Sequence, residues 1–365
     1  MTHHITERAS GHYEFVMVRK GVAFALGSAV LFGASAPAAK ALLDAVSPQL
    51  LAGLLYLGSG LGLGIVRLLQ TRTARKVEGS LSRSDLPWFG AAIVSGGVVG
   101  PVLLMIGLIH TPASSASLLL NLEAVFTAAL AWIVFHENVD RRIALGMLSI
   151  VIGGVLLGWQ GGAAWAGTVG PLAIASACLC WAIDNNLTQK VAASDAVQIA
   201  MLKGLCAGAV NTLIALLLGA TFPIVARVVM ALLLGFVSYG LSLVLFVLGL
   251  RHLGTARTGA YFSLAPFVGA AVSLVVFAER PAAMFWIAAA LMALGLWLHV
   301  SERHEHMHAH DAMEHAHAHV HDEHHQHQHS ADDPPGEPHT HAHRHDRLVH
   351  SHPHYPDVHH RHDHG

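Results

Sequence analysis

Ten apolar stretches follow one another between residues 21 and 300, each about the length a helix needs to cross the hydrocarbon core of a bilayer. They cover about 21–42, 49–69, 87–109, 113–135, 142–159, 170–189, 197–219, 224–248, 257–277 and 282–300. They are continuous and too long for barrel strands, and they lack a barrel's alternation. Prolines stand near many of the starts, at Pro48, Pro87, Pro112, Pro171, Pro223 and Pro281, where a missing N–H costs little. Only 12% of the 365 residues are charged, against about a quarter in an ordinary soluble domain. The expected fold class is therefore an all-α membrane protein with ten transmembrane helices.

Charge between the stretches is one-sided. Arg8, Arg19, Lys20, Arg67, Arg72, Arg75, Lys76, Arg83, Arg141, Arg142, Lys190, Arg251, Arg257 and Arg303 fall on one set of connections. The other set holds little beyond Lys40, Arg227 and Arg280. Basic residues stay in the cytoplasm, so both termini are expected there, in a bacterial inner membrane. The first nineteen residues lack the pattern of a cleaved signal. Near-zero net charge leaves no nucleic-acid footprint, and Cys178, Cys180 and Cys206 lie in apolar stretches as packing residues.

The two halves resemble each other. Shifted by 142 residues, 107–156 aligns with 249–298 without a gap, so that Gly107 meets Gly249, His110 meets His252, Glu137 meets Glu279 and Gly153 meets Gly295. A shift of 149 aligns Gly21 with Gly170 and Gln49 with Gln198. Each unit has an odd number of spans, so the second copy enters the membrane from the opposite face, as in transporters built on inverted repeats. The expected organisation is a cytoplasmic segment 1–19, repeat 1 over 20–160, repeat 2 over 167–300, and a tail over 301–365.

The segments Leu122 to Glu137 (LEAVFTAALAWIVFHE) and Leu264 to Glu279 (LAPFVGAAVSLVVFAE) carry a family resemblance. Each is a small-residue helix ending in an acid, followed by a glycine-bearing last helix. In this the chain resembles the drug/metabolite transporter superfamily, EamA-like branch, over about 20–300. The resemblance implies ten spans, a central cavity between the halves and export of small metabolites or drug-like solutes. It names no substrate and does not extend to the tail. One departure is that Pro266 stands opposite Ala124, beside Glu123, so the site is expected to be asymmetric.

Ionisable groups inside spans are costly and mark candidate sites. Glu123, near the middle of the fourth span, reads as a substrate counter-ion or proton-coupling carboxylate, or as an inert helix–helix contact. Asp184, Asn185 and Asn186, preceded by Trp181, cannot all face lipid and are expected to line a cavity or an interface. Asp184 is the second proton-coupling candidate. Asn121, Ser117, Tyr239, Tyr261 and Ser263 complete the candidate cavity. Lys203 is expected to snorkel to the interface, with an ion pair to Asp184 as the alternative. Pro37, Pro101 and Pro266 should kink their spans. His110, His136 and His252, at span ends, read as polar anchors.

Residues 301–365 hold 23 of the 30 histidines and too few apolar residues for a core, so disorder is expected. Candidate metal ligands are His304, His306, His308 and His310; His315, His317, His319 and His321; His324, His325, His327 and His329; and His339, His341, His343 and His345. Neutral imidazoles in alternation suit weak, exchanging binding of zinc, nickel, cobalt or copper. A pH-responsive polycation is another reading. No cofactor is required. No nucleophile–base pair or phosphate loop is present, so an enzyme is not expected. The leading expectation is a secondary transporter, an exporter of a small solute, open to proton coupling. Divalent-metal efflux with the tail as capture element is the alternative, and a non-transporting metal-buffering membrane protein is the second. Expected partners are the bilayer and a small-molecule substrate, with a homodimer left open.

Overall fold

The structure, a computed structural model, describes residues 19–70, 85–135, 141–159, 167–189, 196–253 and 255–300, and in the tail 304–310, 313–319, 339–345 and 348–354. It divides into two units, Met1–Ser301 and Glu302–Gly365.

In the first unit every apolar stretch is a helix, with ends within a residue or two of those expected. They are α1 (Arg19–Leu42), α2 (Pro48–Leu69), α3 (Leu86–His110), α4 (Ala113–Val134), α5 (Arg141–Gly158), α6 (Val169–Gln189), α7 (Val197–Leu217), α8 (Val225–Leu250), α9 (Arg257–Val276) and α10 (Ala283–His299). Among the described residues, eight are long and apolar enough to cross a membrane; α6 carries a polar cluster and α10 is shorter. Large apolar side chains such as Ile65, Trp132, Val155, Leu217, Val275 and Trp297 are exposed on the outer surface. A soluble monomer rarely shows so much contiguous apolar surface. The protein is a multi-pass membrane protein.

Small residues decide which helices touch. On the seam between α2 and α7, a Cβ on Gly204 would stand 2.7 Å from Gly60 N, so the two backbones meet directly. Without a hydrophobic force between helices in lipid, such close contact is what holds them. The same logic pairs α5 with α10 across Gly146 and Gly295, α4 with α9 at Ser117 and Gly269, and α3 with α6 around Gly107 and Ile174. Ser28 and Ser242 tie α1 to α8 through reciprocal hydroxyl-to-carbonyl hydrogen bonds of 2.8 and 3.0 Å. Under the 142-residue shift α4 corresponds to α9 and α5 to α10, and under the 149-residue shift α2 corresponds to α7, so three of these seams join corresponding helices.

Several helices depart from regular winding. Residues Ile93–Val99 of α3 and Phe236–Leu241 of α8 are π-helical. Helix α4 is interrupted at Leu120–Asn121, where Leu120 N donates to Ser117 O at 3.2 Å and Asn121 N to Leu118 O at 3.1 Å, the tighter three-residue pattern. Helix α9 is interrupted at Ser263–Leu264, just before Pro266, and α1 at Ala34, just before Pro37. Near the prolines expected to kink their spans, the winding is irregular: a turn at Ala34 before Pro37, the π-helical segment before Pro101, and the turn at Ser263–Leu264 before Pro266. The break in α4 has no proline and was not foreseen.

In the second unit, four strands pair as two antiparallel ladders: β1 (His304–His310) with β4 (Leu348–His354), and β2 (Met313–His319) with β3 (His339–His345). The expectation of disorder does not hold for these segments. The two-residue alternation of histidine is also the period of a strand, and ladder pairing along one edge of each strand needs no core. Histidine stands opposite histidine at 304/354, 306/352 and 308/350, and at 315/343, 317/341 and 319/339. His321, His324, His325, His327 and His329 lie outside the described residues, as do His136 and Glu137.

The α2–α7 seam yields a first prediction. Gly60→Ala forces overpacking and should cost about 1–3 kcal/mol. Gly90→Ala, where a Cβ meets nothing within 4 Å, should cost nothing. Thermal unfolding of the purified protein in detergent compares the two.

Candidate functional site

The site begins with one backbone carbonyl. In the π-helical turn of α3, Gly100 N–H donates to Ser95 O, five residues back. The next residue, Pro101, has no N–H to give. Gly96 O is therefore bypassed by both of its ordinary donors. Two side chains take their place: Tyr56 of α2 donates its hydroxyl at 2.9 Å, and Trp181 of α6 donates Nε1–H at 2.9 Å. Gly97 O, which Pro101 would otherwise serve, accepts Asn211 Nδ2 of α7 at 3.1 Å, and Asn211 in turn accepts from Gln49 at 2.9 Å. An unpaired carbonyl in an apolar medium costs several kcal/mol, so these side chains are held where the backbone needs them. Gly96 also has to be glycine, because a Cβ there would overlap the Asp184 carboxylate.

Beside this turn lies a cavity of about 320 Å³. Its lining includes Phe32, Tyr56, Trp181, Tyr239, Phe246 and Phe262, which form an aromatic wall. Ring centroids lie 5.8 Å apart for Tyr56 and Tyr239, 5.3 Å for Phe32 and Phe262, and 5.0 Å for Phe246 and Phe262. Ser28, Ser35, Ser59 and Ser242 supply hydroxyls. Glu123, Asn185 and Lys203 bring the amide and the charges. Glu123 stands in the first turn after the α4 break, at the N-terminal, positive end of the half-helix Leu122–Phe135. Its Oε1 accepts Asn185 Nδ2 at 2.9 Å.

Asp184 is buried behind the lining, where it pairs with Lys203 and accepts the Thr188 hydroxyl at 3.0 Å. The expected snorkelling of Lys203 is corrected: its ammonium turns inward, because Asp184 offers it a partner that lipid does not. Among the sequence candidates, Glu123, Trp181, Asn185 and Tyr239 line the cavity. Asn186 is buried and bonds back to Ala182 O at 2.8 Å. Asn121 caps the α4 break by donating to Leu118 O at 2.8 Å, and Ser117 bonds to Ala113 O at 2.9 Å at the α4–α9 seam. Tyr261 and Ser263 are not among the lining residues, and Ser263 donates to Gly259 O at 2.7 Å. Tyr56 and the cavity serines were missed. Single hydroxyls in apolar stretches give no signal until the helices are assembled.

The cavity reaches toward the end of the bundle where α7 and α9 begin and α8 finishes, since Lys203, Phe262 and Phe246 line it. The opposite end is tied together. Glu279, between α9 and α10, accepts from Ala113 N at 2.8 Å, from Ser114 N at 3.2 Å and from the Ser114 hydroxyl, and so caps the start of α4. Lys40, at the end of α1, donates to Leu108 O at 2.7 Å and to Thr111 O, capping the finish of α3. Ala278, just before Glu279, has φ +49°, a left-handed conformation that costs an alanine about 1 kcal/mol.

The doubly served carbonyl sets an expected pattern of mutant energies. Tyr56→Phe or Trp181→Phe alone leaves Gly96 O one donor. The double variant leaves none and should lose about 1–3 kcal/mol beyond the sum of the singles. A double-mutant cycle on thermal unfolding measures that excess.

The comparisons with known proteins bear on the whole helical unit. The model of the EamA-like transporter family matches this chain twice, over residues 19–159 and 168–301. An uncharacterized transporter of Methanothermobacter thermautotrophicus is 25% identical over 283 residues, 74% of this chain and 82% of its own length. The uncharacterized transporter YyaM of Bacillus subtilis is 23% identical over 280 residues, 74% of this chain and 89% of its own. A shorter match, 39% identical over 88 residues, is to the probable 4-amino-4-deoxy-L-arabinose-phosphoundecaprenol flippase subunit ArnE of Klebsiella pneumoniae, covering 24% of this chain and 76% of that one. A solved crystal structure shares the fold with TM-score 0.56 and 19% identity, over 76% of this chain and 95% of that chain. The two matched halves, together most of the helical unit, make this chain a member of the EamA-like transporter family.

Proposed function

We propose that the chain is a secondary transporter that exports a small solute from the cytoplasm of a bacterial cell, with proton exchange at Glu123 driving the movement. The observation that carries this reading is the position of Glu123. It is a carboxylate at the start of a broken half-helix, facing a cavity inside the bundle. Transporters built from repeats place substrate and coupling groups at such discontinuous helices. In this reading all ten helices cross the membrane as two inverted units of five, with both termini cytoplasmic, as the skew of basic residues favours. The cavity then opens toward the cytoplasm, and the Glu279–Lys40 ties close the outer end.

Reorientation requires those ties to part while the cytoplasmic end closes around the solute. The groups that face Glu123 and share its electrostatics are Asp184 and Lys203, with Tyr56 and Cys178 close by. Because Asp184 and Lys203 neutralise each other, Glu123 is the group whose charge changes when a proton leaves. The flippase subunit among the relatives extends the solute range considered to lipid-linked sugars, and a growth screen of a deletion strain across metabolites and toxic compounds selects the substrate.

The test is uptake into everted membrane vesicles energised with a proton gradient, using the solute from that screen. Glu123→Gln is expected to abolish gradient-driven uptake. Asp184→Asn, which leaves Lys203 without its partner, is expected to lower it by about tenfold. Wild-type uptake in both variants would remove these carboxylates from the mechanism.

A second reading, divalent-metal efflux or buffering, is favoured by the opposed histidines of the two ladders. Zinc, nickel and cobalt tolerance of cells expressing the full chain or a chain ending at Val300 separates the cases. Equal tolerance in both, and in cells lacking the gene, would remove metal as cargo. Metal bound by the tail without flux would identify a buffer.

A further inference from the structure

We infer that the cavity is built for an organic monocation, a small amine with an apolar body, rather than for an anion or a zwitterion. This rests on the transporter reading for why the cavity exists, but the selectivity follows from the charges and donors around it. Three carriers of charge are at or beside the lining: Glu123, Lys203 and Asp184. Lys203 and Asp184 are paired with each other. Glu123 receives only the neutral Asn185 amide among its hydrogen bonds in the described residues. The lining therefore carries one carboxylate without a cation.

Four donors of the wall are already engaged with backbone carbonyls. Tyr56 gives its hydroxyl and Trp181 its indole N–H to Gly96 O. Ser28 and Ser242 bond to each other's backbone. An anion entering here meets few free donors and the like charge of Glu123. A zwitterion could neutralise Glu123 with its ammonium, but its own carboxylate would find only a lysine held by Asp184. A cation meets the opposite case. Phe32, Tyr56, Tyr239, Phe246 and Phe262 line the same cavity as Glu123, and aromatic faces attract ammonium groups within about 6 Å of the ring centroid. The volume, about 320 Å³, is at the small end for ligand pockets and suits one ring and a short amine arm.

Equilibrium binding to the purified full-length chain, followed by tryptophan fluorescence, with Trp181 in the cavity wall, tests this without requiring transport. The probes share one skeleton: 2-phenylethylammonium, 2-phenylethanol, 3-phenylpropionate and phenylalanine. The cation is expected to bind about tenfold or more tightly than each of the other three. Glu123→Gln should erase the preference of the cation over the alcohol, while Tyr239→Leu should weaken the cation more than the alcohol. Binding of the anion, the alcohol or the zwitterion as tightly as the cation overturns the inference. So does a cation preference that survives Glu123→Gln. Loss of all binding in Glu123→Gln is checked against its thermal unfolding, and Glu123→Asp, which keeps the charge, must retain the preference. The two readings fail separately. Cation-selective binding without flux in proteoliposomes would sink the transporter reading alone. Flux of a neutral or anionic solute with which 2-phenylethylammonium does not compete would sink this one alone.

Discussion

In lipid, a backbone carbonyl that loses its N–H partner has no water to turn to. Pro101 and the π-helical turn before it leave Gly96 O in that position. The protein answers with Tyr56 from α2 and Trp181 from α6, and with Asn211 from α7 for the neighbouring Gly97 O. One irregular turn thus draws three other helices onto α3. Tyr56 and Trp181 also line the cavity, so a requirement of the backbone helps fix the cavity's shape.

The second constraint is close approach. Among apolar helices in lipid, packing replaces the hydrophobic effect as the force of association. The glycine seams between α2 and α7 and between α5 and α10 bring backbones into direct contact. At the breaks at Leu120–Asn121 and Ser263–Leu264, short-range bonds within the same helix serve the loosened backbone, as where Asn121 N donates to Leu118 O and Leu264 N to Tyr261 O. Glu123 follows the first of these breaks. Its charge sits at the positive end of a half-helix rather than in the middle of a continuous one. The dipole and the Asn185 amide both favour a carboxylate there.

The two ends of the bundle differ for reasons of the same kind. At one end Glu279 and Lys40 serve the orphan N–H and C=O groups where α4 starts and α3 stops. Such caps hold the end shut, and because they are side chains they can exchange partners. At the other end the aromatic side chains leave space between α1, α7, α8 and α9 instead of filling it.

Helix positions, the internal duplication, the family and the inward placement of Glu123 and the 184–186 cluster were legible in the sequence, because span length, a fixed offset and a charge in an apolar run are local signals. The inward turn of Lys203 was not. Its choice between lipid interface and Asp184 depends on how near α6 and α7 come to each other, which only packing sets. The roles of Tyr56 and Asn211 were hidden for the same reason, since their acceptors lie on a different helix and become available only through the π-helical turn. The strand pairing in the tail escaped because composition reports the lack of a core and says nothing of backbone ladders. By itself, then, the sequence determined what the chain dissolves in and how often it turns, through the length and polarity of its segments. Which polar groups meet was decided by the tertiary structure, because in lipid each must find its partner on whichever helix packing brings within reach.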